Sequence, residues 1–333
     1  MQMRMLGTSG LCVSPVGLGC WQFSKGAGLM GRYWPELPDP VSREIVRRSL
    51  DGGVNWFDTA EAYGWGTSEQ VLAESLTSAG KNPGDVIIAT KWWPAFRTSR
   101  SIGRTIGKRL RRLGGFPIDL YQIHQPLGLS SVEKEIDAMA SLMEAGSIRY
   151  AGVSNFSEAL MRRADRRLRT RGFRLVSNQV SYSLLHRDIE SNGLLESAKE
   201  LGVSVISYSP LSQGLLSGKY HGLDGSVRRV KGIRRYLPGF SHAGLEKTRR
   251  LVNHLDTIAQ AHAATIAQVA LQWLVSFSGS SVVAIPGAAS PAQAEENAAA
   301  MNLTLSGDEL ASIDAESRLL MRRPSRRFRK ASA

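Results

Sequence analysis

The sequence N-W-F-D-T-A-E-A-Y-G at residues 55–64 marks the point where a short apolar strand changes into a polar loop. Residues 54–57 are mostly apolar and follow two glycines, a pattern that favours a buried β-strand after the end of a helix. Asp58 comes directly after the apolar residues, and Tyr63 follows five positions later. An acid at the end of a buried strand and a phenol just beyond it predict a chemical site, which the rest of the chain must complete.

The same unit, a short apolar segment followed by a helical pattern, repeats along the chain. Continuous apolar segments of this length are typical of buried parallel strands. They occur at 16–20, 54–57, 86–89, 118–123, 148–153, 175–180, 203–208 and 282–285. Helical patterns follow at 41–50, 68–76, 102–113, 132–144, 157–168, 194–201, 245–261 with 264–275, and 292–300.

Eight such units predict an α/β fold of the (β/α)8 TIM-barrel type rather than an open sheet. A doubly wound dinucleotide-binding fold is less consistent with the sequence, because no G-x-G-x-x-G follows an early strand. The first 15 residues predict a β-hairpin that turns at Gly7-Thr8-Ser9-Gly10, and a long loop follows the seventh strand to about residue 243. Residues 306–317 predict a terminal helix with a capping box from Ser306 to Glu309.

We therefore predict one barrel domain over residues 1–318 and a basic, disordered tail over residues 319–333. The chain has 333 residues, which suits a single barrel with insertions, since such barrels take about 250 residues or more. Its two cysteines, Cys12 and Cys20, cannot form a disulfide framework, so we expect a reducing, cytoplasmic environment. No apolar run approaches the roughly 20 residues of a membrane span.

The charge is strongly basic, with 42 Lys and Arg against 29 Asp and Glu and a formal net charge of +13. The excess concentrates at 100–112, 162–174, 228–235 and 322–330. We interpret these clusters mainly as solvated helix faces and a tail, although they could also attract anions, from a phosphorylated cofactor to nucleic acid. No nucleic-acid-binding motif accompanies them, so nucleic-acid binding is the weaker interpretation.

Polar residues end strand after strand, and in a barrel the active site lies at the carboxyl ends of the strands. In strand order these residues are Trp21, Asp58 with Tyr63, Lys91, His124, Ser154 with Asn155, Gln179, Tyr208 and Gly287.

Asp58, Tyr63, Lys91 and His124 form a chemically consistent set. A tyrosine has a pKa of about 10, which is too high for an efficient proton donor at neutral pH. The ammonium group of Lys91 would lower it, and Asp58 would hold Lys91 in place and keep it charged. A neutral His124 could orient a carbonyl oxygen beside the Tyr63 hydroxyl. The set predicts protonation of a carbonyl oxygen while a hydride arrives at carbon.

Other interpretations of these residues account for fewer of them. Asp58 and Lys91 alone could be a structural ion pair. Asp58 with Glu61 could be the paired carboxylates of a glycosidase, but that leaves Lys91 and His124 without a role, so we expect Glu61 to point away. The other histidines lack metal-ligand spacing, and no G-x-S-x-G marks a serine nucleophile. Four tryptophans near strand ends could line a substrate pocket or pack in the core: Trp21, Trp34, Trp92 and Trp93.

The chain resembles the aldo-keto reductases, a family of NADPH-preferring (β/α)8 oxidoreductases. N-W-F-D-T-A-E-A-Y-G, T-K-W and I-H-Q-P occur in the family's order, and the resemblance extends to about Asn297. S-P-L-S-Q-G-L-L-S-G-K-Y and a late I-P-G followed by E-E-N resemble the bacterial branch that includes potassium-channel β-subunit-like and general stress reductases.

The resemblance implies that Tyr63 is the general acid, that Lys91 and Asp58 tune it, and that His124 orients the substrate carbonyl. It implies that Ser154, Asn155 and Gln179 bind the nicotinamide carboxamide and that Tyr208 stacks on the ring. The loop over the pyrophosphate would contribute Ser209, Pro210, Leu211, Gln213, Gly214, Leu215 and Lys219. The residues around the adenosine would be Gly287, Gln293, Glu296 and Asn297.

The resemblance predicts NADPH as the cofactor. Many family members have Ser, Arg or Lys where this chain has Ala289, so NADH is the alternative. Ser290, Gln293, Lys219 or an arginine of residues 228–235 would have to replace the missing contact to the 2′-phosphate. The expected substrates are small aldehydes or ketones. A second hypothesis is an NADPH-binding sensor with slow turnover, and the sequence predicts neither the physiological substrate nor the oligomeric state.

Overall fold

A ring of eight parallel strands forms the centre of the molecule, which is a computed structural model that describes residues 2–31, 33–222, 230 and 232–321. The ring consists of β3 (Leu18–Gly19), β4 (Trp56–Asp58), β5 (Ile87–Trp92), β6 (Leu120–Ile123), β7 (Tyr150–Ser154), β8 (Ser177–Ser181), β9 (Ser204–Tyr208) and β10 (Val282–Ile285). Neighbours in the chain are neighbours in the sheet. Parallel bridges from Val16 to Ala284 and from Gly19 to Gly287 join the first strand to the last. The predicted (β/α)8 barrel is therefore confirmed.

Helices surround the ring. They are α1 (Gly28–Gly31), α2 (Asp39–Asp51), α3 (Thr67–Ser78), α4 (Arg100–Arg112), α5 (Val132–Glu144), α6 (Glu158–Arg169), α7 (Leu194–Leu201), α8 (His242–Ala261), α9 (Ile266–Phe277), α10 (Pro291–Ala299) and α11 (Gly307–Leu320). The main core lies between ring and helices and takes apolar side chains from both. Within the described ranges, no helix has the length and apolar character that a membrane span requires.

The predicted hairpin is present as β1 (Arg4–Met5) and β2 (Cys12–Val13), which pair antiparallel. Its apolar side chains Leu6, Leu11 and Val13 pack in one cluster with inward-facing residues of the ring, among them Trp56 and Val176. Gly7 has a positive φ of 58° and approaches so closely that a Cβ there would lie 2.3 Å from the Val176 carbonyl oxygen. The hairpin therefore covers the amino-terminal end of the barrel, opposite the strand ends that carry the predicted site.

Two predicted segments differ in detail. The long segment between β9 and α8 contains 3₁₀ turns at Ser212–Ser217, Gly232–Tyr236 and Pro238–Phe240, so its described part is structured. The capping box of Ser306 and Glu309 is present, but α11 continues to Leu320 and includes the first two residues of the predicted tail. The remainder of that tail, from residue 322, lies outside the described residues, as do residues 228, 229 and 231 of one basic cluster.

Candidate active site

A buried ion pair lies at the carboxyl ends of β4 and β5. Lys91 Nζ is 2.5 Å from Asp58 Oδ1, and both side chains are at most 1% exposed. The ammonium group also donates to the Thr59 carbonyl at 2.9 Å. Burial lowers the pKa of Lys91, but Asp58 and Tyr63 outweigh that effect and raise it above its ordinary value. Lys91 is therefore positively charged at neutral pH.

Two glutamines hold the second oxygen of the Asp58 carboxylate. Gln179 Nε2 donates to Asp58 Oδ2 at 2.9 Å and Gln122 Nε2 at 3.2 Å. The sequence analysis did not identify Gln122. It lies on β6, two positions before His124, which directly follows the strand, and side chains two apart lie on the same face, so this alternation could have revealed it.

The Tyr63 hydroxyl lies 3.5 Å from Lys91 Nζ, and its ring is 9% exposed. Burial raises the pKa of Tyr63, Lys91 lowers it and Asp58 raises it, and the net shift is upward from the ordinary value of 10.0. The prediction of a lowered Tyr63 pKa is wrong for this structure, because burial outweighs the effect of Lys91. The phenol is consequently protonated at neutral pH.

His124 lies edge-on to the Tyr63 ring, with ring centres 5.6 Å apart. Burial, assisted by Lys91, holds the pKa of His124 well below its usual value of 6.5, so the imidazole is neutral at pH 7. Its Nδ1 atom is buried and has no hydrogen-bond partner among the described residues. A neutral imidazole beside a protonated phenol offers hydrogen-bonding groups without a competing charge.

A cavity of about 1020 Å³ opens above these residues at the carboxyl end of the barrel. Its volume corresponds to the upper end of the range for small-molecule and cofactor sites. The predicted residues that line it are Trp21, Trp34, Asp58, Tyr63, His124, Ser154, Asn155, Gln179, Tyr208, Ser209, Pro210, Leu211, Gln213, Gly214, Lys219, Gly287, Gln293, Glu296 and Asn297.

Four predicted residues lie off the cavity wall. Lys91 is fully buried below Tyr63, and Leu215 packs with Tyr220 and Phe240. Trp92 is also fully buried in the main core, so its assignment to a substrate pocket is wrong. Its neighbour Lys91 points into the barrel, and alternation therefore directs Trp92 outward.

Trp93, the other tryptophan of the pair, packs edge-on against His124 with ring centres 5.2 Å apart. It is absent from the cavity lining and packs in one cluster with Tyr63 and Trp21, so it contacts residues of the wall without forming part of it.

Aromatic rings form the wall opposite His124. Trp21 stacks on Tyr63 at 5.9 Å and on Tyr33 at 4.9 Å, with interplanar angles of 21° and 15°. Trp34 lies edge-on to Trp21 at 5.9 Å. The sequence analysis missed Tyr33, although it adjoins the predicted Trp34. This wall favours flat or apolar groups next to the Tyr63 hydroxyl.

Unusual backbone conformations occur around the cavity. Asn155, Ser209 and Gln213, all in its lining, have positive φ angles of 60°, 51° and 59°. Such angles are unfavourable for residues other than glycine and concentrate at functional sites. Tyr208 Oη donates to Asn155 Oδ1 at 2.9 Å, which links the carboxyl ends of β9 and β7 across the intervening β8.

The far end of the cavity can accommodate a phosphorylated group. The amino terminus of α10 contributes Ser290, Ala292 and Gln293 to the lining, and a helix amino terminus attracts anions. At Gly287 a Cβ would lie 2.2 Å from the amide of Gln22, so a larger residue there would displace the Gln22 side chain. Gln22 Oε1 is buried without a hydrogen-bond partner among the described residues and lies in the same lining, where a cofactor hydroxyl or amide could reach it.

The arrangement contains no described group of three or more His, Cys, Asp or Glu residues that could hold a metal ion. Glu61 does not line the cavity, and its carboxylate contacts Arg97 and Arg109 instead. The paired-carboxylate interpretation of Asp58 and Glu61 therefore has no geometric support. What the cavity offers is a neutral phenol, a buried cation beneath it and a long cleft for a cofactor.

Comparison with known proteins identifies the family. The sequence model of the Aldo/keto reductase family matches residues 15–318. This chain belongs to the aldo-keto reductase family. It is accordingly an NAD(P)H-dependent oxidoreductase, and the resemblance inferred from its motifs is confirmed.

Relatives of this aldo-keto reductase match along nearly their whole length. An uncharacterized oxidoreductase of Mycobacterium tuberculosis is 40% identical over 332 residues, which cover 99% of this chain and 95% of that protein. Aldo-keto reductase YhdN of Bacillus subtilis is 30% identical over 327 residues, with 94% and 93% coverage. The crystal structure of an aldo/keto reductase from Klebsiella pneumoniae in complex with NADP and acetate superposes with a TM-score of 0.71 at 26% identity and covers 95% of each chain.

Proposed function

We propose that this aldo-keto reductase reduces the carbonyl group of small aldehydes or ketones to alcohols, with Tyr63 as the proton donor. The observation that carries the proposal is the position of the Tyr63 hydroxyl, 3.5 Å from the buried Lys91 ammonium group at the floor of a large cavity. A proton donor must be protonated before it acts and must lose its proton readily in the transition state. Burial supplies the first property, and Lys91 supplies the second by stabilising the phenolate.

A bound nicotinamide cofactor supplies the hydride. Tyr63 Oη donates its proton to the carbonyl oxygen, and Lys91 stabilises the phenolate that remains. Asp58 keeps Lys91 charged and in place, with Gln122 and Gln179 fixing the carboxylate. His124 is neutral, so it orients the carbonyl oxygen beside Tyr63 without adding a second positive charge to the site.

We expect Tyr63→Phe to remove the proton but leave the shape of the cavity unchanged. Reduction of a panel of aldehydes should fall by about 10²–10⁴-fold, the usual contribution of a general acid. NADPH binding, measured by quenching of tryptophan fluorescence, should be unchanged. Normal turnover in this variant would exclude Tyr63 as the donor. A wild-type protein that binds NADPH but reduces no aldehyde would instead favour the sensor hypothesis.

We further propose NADPH as the preferred cofactor. Lys219 and Arg234 line the cavity, and Arg234 has no carboxylate partner among the described residues. Arg234 donates to the Gln213 carbonyl at 3.1 Å and stacks on Trp34 at 4.6 Å, which holds its charge over the cleft. These cations can compensate for Ala289. Fluorescence titrations should give a lower Kd for NADPH than for NADH, and an equal or lower Kd for NADH would reverse the assignment.

A further inference from the structure

Glu61 lies between the two residues that define the proposed chemistry, yet its carboxylate is directed away from the cavity. Its Oε2 atom accepts from the backbone N–H of Trp93 at 3.1 Å and from Arg97 Nη1 at 2.9 Å. Its Oε1 atom lies 3.4 Å from Arg109 Nη1. The backbone N–H of Glu61 also donates to the Lys91 carbonyl at 3.1 Å. One residue thus joins the loop of Tyr63 to the loop that follows β5.

Arg109 connects Glu61 to a cluster of buried charged residues. Arg109 is 1% exposed and lies 3.1 Å from the carboxylate of Glu69, itself fully buried. Thr90, the neighbour of Lys91, donates to Glu69 at 2.7 Å. Breaking one partner of a buried charge cluster leaves the other without compensation, so the cluster resists rearrangement.

The junction continues to His124 by two routes. Trp93, whose N–H is held by Glu61, packs its ring on His124 at 5.2 Å. The Arg97 carbonyl accepts from Leu129 N at 2.8 Å, and Leu129 belongs to the loop that follows His124. Glu61 therefore contacts the loop of Trp93 directly and reaches the loop of His124 through Trp93 and Arg97.

We propose that Glu61 is a positioning residue, which holds the Tyr63 loop against the Trp93 loop and so fixes the Tyr63 hydroxyl relative to the His124 ring. This inference rests on the proposed function, in which both groups meet the same carbonyl oxygen. A misplacement of about 1 Å in such a pair can cost about 10²-fold in rate. Glu61 needs its charge for this purpose, since a glutamine keeps one acceptor oxygen but directs an NH2 group at one of the present donors and loses the charge attraction to both arginines.

Glu61→Gln tests the role, and Glu44→Gln is its matched control. Glu44 also contacts two arginines, Arg47 and Arg48, but it lies on the outer surface of α2. We expect Glu61→Gln to lower kcat by about 10–100-fold, while KM and the Kd of NADPH change by less than about twofold. Amide hydrogen exchange of the peptide that contains Trp93 should accelerate. Glu44→Gln should behave as the wild type in all four measurements.

A second variant distinguishes a loss of positioning from a folding defect. Arg97 is 24% exposed and tolerates replacement more readily than Arg109, so Arg97→Met removes a contact to Glu61 from the other side, together with the hydrogen bonds of Arg97 to the Trp93 carbonyl, Ser101 and Thr105. It should lower kcat as well, and the loss in the double variant should be smaller than the sum of the two single losses. Additive losses, or a wild-type kcat in Glu61→Gln, would overturn the positioning role.

The proposed function fails in a different way. If Tyr63→Phe retains full turnover, the proton donor is misassigned whatever Glu61→Gln does. If Tyr63→Phe is inactive and Glu61→Gln turns over normally, only the positioning role is wrong.

Discussion

Asp58 shows how one side chain changes its meaning with its surroundings. Alone at a strand end it could be a general acid, a nucleophile or half of an ion pair. In the structure its carboxylate accepts from Lys91, Gln122 and Gln179. All three of these groups donate to the carboxylate, so Asp58 serves as a partner that holds Lys91 in place and not as a proton donor.

Asp58→Asn keeps the shape of this side chain and removes its charge. Without Asp58, burial should lower the pKa of Lys91 and neutralise it, and Tyr63 then loses the cation that lowers its own pKa. The direct effect of Asp58 on Tyr63 is the smaller one, so the pKa of Tyr63 should rise. We expect kcat to fall by at least about tenfold, with its alkaline decline moved to higher pH. Because the pKa of Tyr63 already lies above its ordinary value of 10.0, a pH profile of kcat that extends well above pH 10 measures both changes, and an unmoved decline would contradict this account.

Side-chain direction explains which residue predictions succeeded. The order of strands predicted that Asp58, Lys91 and His124 would share one end of the barrel, and they do. The assignment of Trp92 to the substrate pocket was wrong because it relied on proximity in sequence and ignored the alternation of side chains along the strand. The role of Glu61 could not be predicted from the sequence. Arg109 is 48 positions away on α4, and the direction of the Glu61 side chain depends on tertiary packing.

At the scale of elements, local signals predicted helices better than loops. The spans of α5 and α7 are as predicted, because Ser131 caps α5 and Gly202 ends α7 in a left-handed conformation. The segment after β9 lacked any periodic signal. The 3₁₀ turn at Ser212–Ser217 contains Ser212 and Gln213 at positive φ, a conformation that neither residue type predicts.

The buried Arg187 side chain connects α11 to the barrel. Arg187 is fully buried, contacts Glu190 at 2.7 Å and also pairs with Asp314 of α11. Its guanidinium lies over the rings of Trp273 and Phe277, at 4.8 and 5.4 Å.

Arg187→Met should destabilise the protein by about 3 kcal/mol, because it removes a fully buried cation and leaves Glu190 and Asp314 with only the exposed Arg318. The measurement is the free energy of unfolding in urea. Arg250→Met removes a comparable link to α11, since Arg250 contacts Glu316 at 2.7 Å, but Arg250 is 74% exposed. Exposed ion pairs contribute little, so this control should keep the wild-type midpoint. Equal midpoints for the two variants would mean that Arg187 does not hold α11.

Across the whole molecule, the positive charge is unevenly compensated. Arg163, Arg167 and Arg171 of the α6 region pair with Glu133, Asp137 and Glu144 of α5. On α4, Arg109 has carboxylate partners, whereas the remaining basic residues have none among the described residues. The composition predicted a basic surface but could not show that one helix was neutralised by its neighbour and the next was not.

The hairpin at the amino-terminal end affects how molecules can reach the cavity. The interior of the ring is filled by side chains, and Leu6, Leu11 and Val13 cover its amino-terminal end. The cavity lined by Trp21 and Tyr63 opens at the opposite end, so a cofactor and a substrate would enter it from the same side. A group that binds deeper in this cavity must then bind before, and leave after, a group that lies nearer the opening, which favours an ordered sequence of binding and release.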